Sequence, residues 1–424
     1  MRPLAVETTI ASLAPGGDGV THADVAGERR AVFVPHTAPG DRARLEVDLS
    51  RRPARGRLLE ILSPGSDRVA PACPWSTQCG GCDWMHLSFE AQAKAHVDHL
   101  RSALPADWRD VPIESVAPAA PLGYRSRARL HVRCGPQGKV VVGMHEAKTH
   151  DPVEVDACVV LAPEIERARR LLAPLLSGSS GRGDVLLALG ESRRPVLDIA
   201  WKGELASSAF GRLDRAVHQG DIAGARLTLE GANRPANIGD PTPWMLGADG
   251  GPLRLAPGGF AQASEQGNRT LVRVVASAVA ALRVDHAVEL YAGAGNLSIL
   301  LAREVGDLVC VEADPHACLA ARANFGVRAV KARVVQANAE TYLFSPSTKL
   351  VVLDPPRAGA RAVARRLVDS RITSVVYVAC DTQTLGRDLA ILQAVFEPVS
   401  LTAVELFPQT SHVEAVVTLR RRRP

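Results

Sequence analysis

From about residue 255 the chain alternates between helical and strand-type runs. "SEQGNRTLVRVVASAVAAL" is a helix pattern, and the strand "HAVELYAG" follows it. Strand-type "DLVCVEAD", "KARVVQAN", "KLVVLDPPR" and "SVVYVACD" then trade places with helical "LSILLARE", "PHACLAARANFG" and "ARAVARRLVD". This rhythm constrains the fold more than any other feature, because strands joined through helices must lie parallel. A doubly wound, Rossmann-like, mainly parallel α/β sheet is expected over 255–424. Ligands of such sheets sit at the carboxyl ends of the strands. The residues that follow each strand are therefore the first candidates for a site.

The remainder has other patterns. A chain of 424 residues is too long for one ordinary core, and 46% hydrophobic residues are enough to build several. Residues 1–64 read as short strands separated by "PGGDG", "HADVAGE" and "APG", which suggests a small β-barrel. Its later half is rich in arginine (Arg42, Arg44, Arg51, Arg52, Arg55, Arg57) and is either a solvated surface or a face that tracks phosphates. Residues 65–254 read as a central α+β domain. Helices are expected at 88–104, capped by Ser88, and at 163–176. The strand "RSRARLHVR" sets Arg125, Arg127, Arg129 and Arg133 on one face, which suits phosphate contact or plain solvation. A net charge of +5 is compatible with nucleic acid. No apolar run is long enough for a transmembrane helix, and the N-terminus lacks the apolar core of a signal peptide. A cytoplasmic, monomeric protein is expected. In a reducing compartment its cysteines point to metal binding or catalysis rather than disulfides.

The strand ends of 255–424 form a constellation. In "YAGAGN" (291–296), Gly293 and Gly295 let the backbone turn closely past a ligand. Ser298 stands where a dinucleotide loop needs its third glycine, so an S-adenosylmethionine (SAM) loop fits better than a pyrophosphate cradle. Glu312 ends the next strand and can accept from both ribose hydroxyls, while Asp314 before Pro315 is placed as a helix cap. Asn338 can face an adenine. Asp354, followed by two prolines, forms a rigid edge for a base or for the charged amino-acid portion of a cofactor.

Cys380 ends the strand "VVYVAC" beside this constellation, whereas Cys310 in "LVCVEAD" reads as a buried strand residue. A thiolate beside a SAM site has a definite use. Carbon 5 of a pyrimidine is a poor nucleophile until a thiolate adds to carbon 6, after which a base must remove the carbon-5 proton. Glu414 in "TSHVEAV" is the candidate base and His412 the alternative; a plain surface strand residue is the competing reading of Glu414.

With these residues in place, the chain resembles the RNA uridine-5-methyltransferases. The resemblance runs through "FAQAS" (260–264), "ELYAGAGN", "VEAD", "LDPPRAG", "YVACDTQTLGRDL" and "LFPQTSHVEAV", in that order, and spans nearly the whole chain. It implies SAM contacts at Gln262, Tyr291, Asn296, Glu312, Asn338 and Asp354, with Cys380 as nucleophile and Glu414 as proton acceptor. It also implies that the N-terminal barrel is a TRAM domain, an OB-like RNA-binding module. Among its departures, Asp381 replaces an asparagine of the family and would set a negative charge beside the nucleophile, disfavouring the thiolate.

The segment "CPWSTQCGGC" with "DACVVLAP" looks like the family's iron–sulfur segment, which implies a 4Fe–4S cluster on Cys73, Cys79, Cys82 and Cys158. The C-x5-C-x2-C spacing with a distant fourth cysteine suits a cubane; a zinc site is the alternative, and Cys134 is the rival fourth ligand. The expected role is a brace that shapes an RNA surface around Trp75, Trp84 and the basic strand. Barrel and cluster together lean, by resemblance, toward 23S ribosomal RNA as substrate, with transfer RNA as the alternative.

Overall fold

A computed structural model describes residues 4–25, 28–48, 50, 52–135, 138–147 and 149–423. Arg51 lies outside them. The N-terminal segment forms a six-stranded sheet. Its first stretch bends at Ile10. Leu4–Thr9 pairs with Arg42–Asp48, and Ser12–Leu13 pairs with Gly19–Val25, so one continuous stretch meets both edges of the sheet. Val32, Val34, Ala43, Leu45 and Val47 fill its interior. Arginines on the outside pair with acids, as Arg44 does with Glu7 and Glu60, so this face is largely self-neutralised.

The central region is a six-stranded mixed sheet with helices Pro163–Leu176 and Ser207–His218 packed on it. The four arginines predicted to share a phosphate-facing strand do not do so. The regular strand begins at Ala128. Arg127 turns inward and donates to the carbonyls of Gly259 and Ala261. Arg129 faces Asp184, and Arg133 is bonded to Asp151. Arg125 sits beside the cysteine loop. Arg129 and Arg133 stay exposed beside their acids, whereas the carbonyls of Gly259 and Ala261 draw Arg127 inward, a tertiary effect that strand periodicity does not contain.

The C-terminal sheet has eight strands. Its parallel part runs Arg333–Gln336, Asp307–Glu312, His286–Leu290, Leu350–Leu353, Ser374–Ala379. The order therefore reverses between His286–Leu290 and Leu350–Leu353, which places a ligand crevice beyond Leu290 and Leu353. Two apolar layers cover the faces, one of them including Leu100, Leu104 and Trp108 from the central region. Glu414–Arg421 joins Ser374–Ala379 antiparallel, and Phe396–Val404 follows it. The outer strand is Ile113–Val116, so the segment assigned to the central region supplies an edge strand to this sheet.

Local expectations hold well here. Ser88 and Asp314 cap the helices they precede, and Ser264 caps a third. Cys310 is fully buried. The C-terminal arginines are less free than their sequence suggests: Arg421 lies over the Phe396 ring and donates to the carbonyls of Leu367 and Ile372.

Candidate functional site

At the crevice, Tyr291 and Gly293 both adopt positive φ, 62° and 55°. The loop folds back so that Gly293 N donates to Glu312 Oε2 at 2.9 Å, while Asp314 N donates to Glu312 Oε1 at 2.8 Å. The Glu312 carboxylate is thereby fixed in orientation, with lone pairs left to accept from a ribose. Gly295 is required by packing, since a Cβ there would lie 2.4 Å from the Phe325 ring. Asn296 exchanges two hydrogen bonds with the buried Asn268 (2.9 and 2.7 Å), which ties the loop to the Glu265–Leu282 helix. Asn338 closes its own turn through Glu340 N. Gln262 is buried at the end of the segment that Arg127 clamps.

Ser298, read as the missing glycine, bonds Glu289 Oε2 at 2.5 Å beneath the loop. Burial pushes the Glu289 carboxyl up to about 8, with the Asp354 charge adding to the effect.

The register of two strands brings two of the candidate residues together. Ala379 pairs with Ala415. Continuing that antiparallel register by one residue sets Cys380 opposite Glu414. Cys380 is half-buried and Glu414 is 2% exposed, with one carboxylate oxygen lacking any partner. Burial raises the Cys380 thiol to about 11; Glu414 and Asp354 add to this and Arg357 opposes it. Glu414 is held well above the usual carboxylate range by burial and by Asp354, again opposed by Arg357. Burial likewise lifts Asp354 to about 6. The arrangement sets a buried carboxyl, raised by burial, across from a thiol, with the Arg357 cation acting on both.

Asp381 does not act as the sequence suggested. Its side chain accepts from Thr384 N at 2.8 Å as the N-cap of the Thr382–Leu392 helix. The carboxylates that oppose the Cys380 thiolate are Glu414 and Asp354. An Asn at 381 would cap equally well.

One contributor escaped the sequence reading: the Arg357 charge lowers both the Cys380 thiol and the Glu414 carboxyl. Its loop is gripped by the helix that follows Cys380. Thr384 Oγ1 donates to Arg357 O, Arg387 donates to Ala358 O, and the buried Asp388 accepts from Ala360 N and Tyr377 OH. The signal was present in "TLGRDL", whose polar residues fall on one turn of helix.

A cleft of about 670 Å³ that Arg357 lines opens between Gly17 and His36 of the N-terminal segment, Gly80 of the cysteine loop, and His412. Adjoining it, Cys73, Cys79, Cys82 and Cys158 line one pocket; Cys134 is absent from its walls. Among the described residues no group of three or more His, Cys, Asp or Glu side chains is set to hold a metal ion. Burial raises the thiols of Cys79 and Cys158, and that of Cys82 to about 12, with Arg125 opposing the rise in each. Trp84, expected on an RNA surface, is fully buried and donates to Gly17 O.

The family model described as tRNA (Uracil-5-)-methyltransferase matches residues 330–422, which hold Asp354, Arg357, Cys380 and Glu414. A 23S rRNA (uracil(1939)-C(5))-methyltransferase of Halomonas elongata is 33% identical over 444 residues, covering 97% of this chain and 89% of the relative. The chain belongs to the S-adenosylmethionine-dependent RNA uracil-C5-methyltransferases. An uncharacterized RNA methyltransferase of Caulobacter vibrioides is 30% identical to this methyltransferase and covers 98% of it and 100% of the relative. The solved Pyrococcus abyssi tRNA (uracil-54, C5)-methyltransferase, crystallised with S-adenosyl-L-homocysteine, shares the methyltransferase's fold at TM-score 0.76 and 21% identity, over 98% of this chain and all of that one. No helix of the methyltransferase, among the described residues, is long and apolar enough to cross a membrane.

Proposed function

We propose that the protein methylates carbon 5 of one uridine in structured 23S ribosomal RNA, with Cys380 as nucleophile and Glu414 as base. The observation that carries this reading is the strand register that sets Cys380 opposite Glu414 at the mouth of the sheet's crevice. Cys380 Sγ adds to carbon 6 and makes carbon 5 nucleophilic. Bound SAM supplies an electrophilic methyl group. Glu414 then takes the proton from carbon 5; the C6–S bond breaks, its electrons go to the leaving thiolate, and the C5–H pair restores the ring double bond. Arg357 offsets the negative charge that builds on the thiolate. Tyr291, Gly293, Asn296 and Glu312 form the SAM loop, with Gln262, Asn338 and Asp354 around it.

Ribosomal RNA is favoured because curated relatives that span nearly the whole chain carry that name. The three-part organisation (1–64, 65–254, 255–424) is part of the proposal: a TRAM-like module and a central module wall the cleft in which the RNA would lie. Cys73, Cys79, Cys82 and Cys158 would hold the 4Fe–4S cluster. Their shared pocket and the buried Nε of Arg125, which has no hydrogen-bond partner, suit an anionic thiolate-ligated group. Such a cluster supplies a rigid cross-link, and no methyl-transfer step needs its electrons.

Mass mapping of modified uridines in total RNA, with and without the gene, tests the substrate. Loss of one 5-methyluridine in 23S ribosomal RNA is expected. Loss from transfer RNA alone would overturn the ribosomal assignment while leaving the chemistry intact.

A further inference from the structure

The loop between Val404 and Glu414 carries the base into the strand, and it is held from outside its own sheet. Tyr124 OH donates to Pro408 O at 2.9 Å. Gln409, at φ 72°, donates its N–H to Gln92 Oε1 at 2.8 Å. Ser411 N donates to Asp83 Oδ1 at 2.9 Å. The most buried of these contacts belongs to His96, on the Phe89–Ala103 helix and 0% exposed. Its Nε2 lies 3.1 Å from Thr410 O, and its Nδ1 lies 2.7 Å from Glu405 Oε2. The Trp84 ring packs against it at 4.7 Å.

A backbone carbonyl only accepts, so Nε2 donates to Thr410 O, while Nδ1 meets the Glu405 carboxyl, and the ring is fixed at both ends. One rigid side chain thereby ties the start of the loop, Glu405, to Thr410, four residues before the base.

We infer that His96 is a positioning residue for the elimination half of the reaction, setting Glu414 against carbon 5 through Glu405 and Thr410. This rests on Cys380 and Glu414 acting as proposed above. Cys380 follows a different strand, Ser374–Ala379, and the next residue, Asp381, caps the Thr382–Leu392 helix. Slackening His96 therefore displaces the base and leaves the nucleophile in place. A displacement of about 1 Å at a reacting group costs on the order of 100-fold in rate.

The test is His96→Leu, with His96→Gln as the conservative variant that keeps a donor for Thr410. Turnover, KM for RNA, and the SDS-stable protein–RNA adduct are measured on the full-length protein purified with whatever groups it carries. His96→Leu is expected to lower kcat roughly 30- to 100-fold, to leave KM within about twofold, and to raise the steady-state adduct fraction several-fold. His96→Gln should fall between it and the native protein. A parallel loss of adduct and turnover, or no change in either, overturns the inference. Should His96→Leu fail to fold, as judged by S-adenosyl-L-homocysteine binding, Gln92→Ala frees the same loop at Gln409 and is decided by the same readout. The underlying reading is tested separately: a native protein that methylates uridine at full rate after Cys380→Ala would sink the mechanism itself.

Discussion

Two cysteine regions lie side by side and differ in what surrounds the sulfur. Cys79, Cys82 and Cys158 share one apolar pocket, and their thiols rise chiefly through burial, with Arg125 as the nearby cation. Cys380 is also raised by burial, but its neighbours are two carboxylates and Arg357, and that arginine lines a cleft. The first environment suits sulfurs that face one another across a shared group. The second suits a sulfur that must gain and lose a proton beside a base. Residue type alone does not separate them; the partner set does.

The largest expected effect breaks the Cys380 half of this comparison. Cys380→Ala should reduce methylation to background while S-adenosyl-L-homocysteine binding, read by calorimetry, stays within about twofold, because a nucleophile's removal leaves binding contacts intact. Glu414→Gln should cost about 10² to 10⁴ in turnover and accumulate the covalent RNA adduct on a denaturing gel. Retention of full turnover in either variant would refute its assigned role.

Cys79→Ala probes the other half. If the four thiols bind a common group, this variant loses iron and absorbance in the visible range after anaerobic purification. It is then destabilised by about 4 kcal/mol, the scale of losing a metal site, as read by denaturant unfolding. Activity should fall along with stability, because Asp83 and Trp84 directly follow Cys82 and hold Ser411 and Gln409 of the base's loop. Native-like stability with normal iron content would remove the cluster from the account.

What was legible in the sequence divides along the same line. The parallel sheet, its strand-end residues and the helix caps could be read, because alternation and capping are local properties. Cys380 and Glu414 could each be singled out from their neighbours in sequence, but their placement across from one another follows from strand register, and register emerges only when the sheet assembles. The basic strand at 125–133 was read only in part, for a related reason. Arg129 and Arg133 share one exposed strand face, while the carbonyls of Gly259 and Ala261 that capture Arg127 lie far along the chain. Asp381 was misjudged because its sequence neighbour is Cys380, while its hydrogen-bond partner is Thr384 N.

Arg357 gives a smaller and more selective effect. Its charge lowers both the Cys380 thiol and the Glu414 carboxyl. With the thiol near 11, the thiolate fraction of the free enzyme grows about tenfold per pH unit through neutrality. Arg357→Ala should raise the thiol further, displacing the rise of kcat/KM to higher pH and lowering activity about tenfold at pH 7.5. An unshifted profile would show that the cation contacts RNA rather than tuning the pair.

The smallest expected effect concerns a third cysteine environment beneath the SAM loop. Cys310 Sγ lies 3.9 Å from Glu289 Oε2, fully buried, and no reaction reaches it. Glu289 keeps its proton in the folded protein up to about pH 8, chiefly through burial, against an ordinary value of 4.5. Between those values the folded state binds a proton that the unfolded chain has released. The stability linked to Glu289 is therefore fully present below its unfolded value and declines as pH rises toward 8. Glu289→Gln preserves an amide partner for Ser298 and removes the titration. Relative to the native protein it should gain at least about 1 kcal/mol in denaturant unfolding at pH 8 compared with pH 5. Methyl transfer should stay within about threefold, because the side chain lies below the loop and touches no reacting atom. An equal pH dependence in both proteins would mean that the carboxylate is ionised in the fold, with Ser298 and Cys310 donating enough to hold the charge.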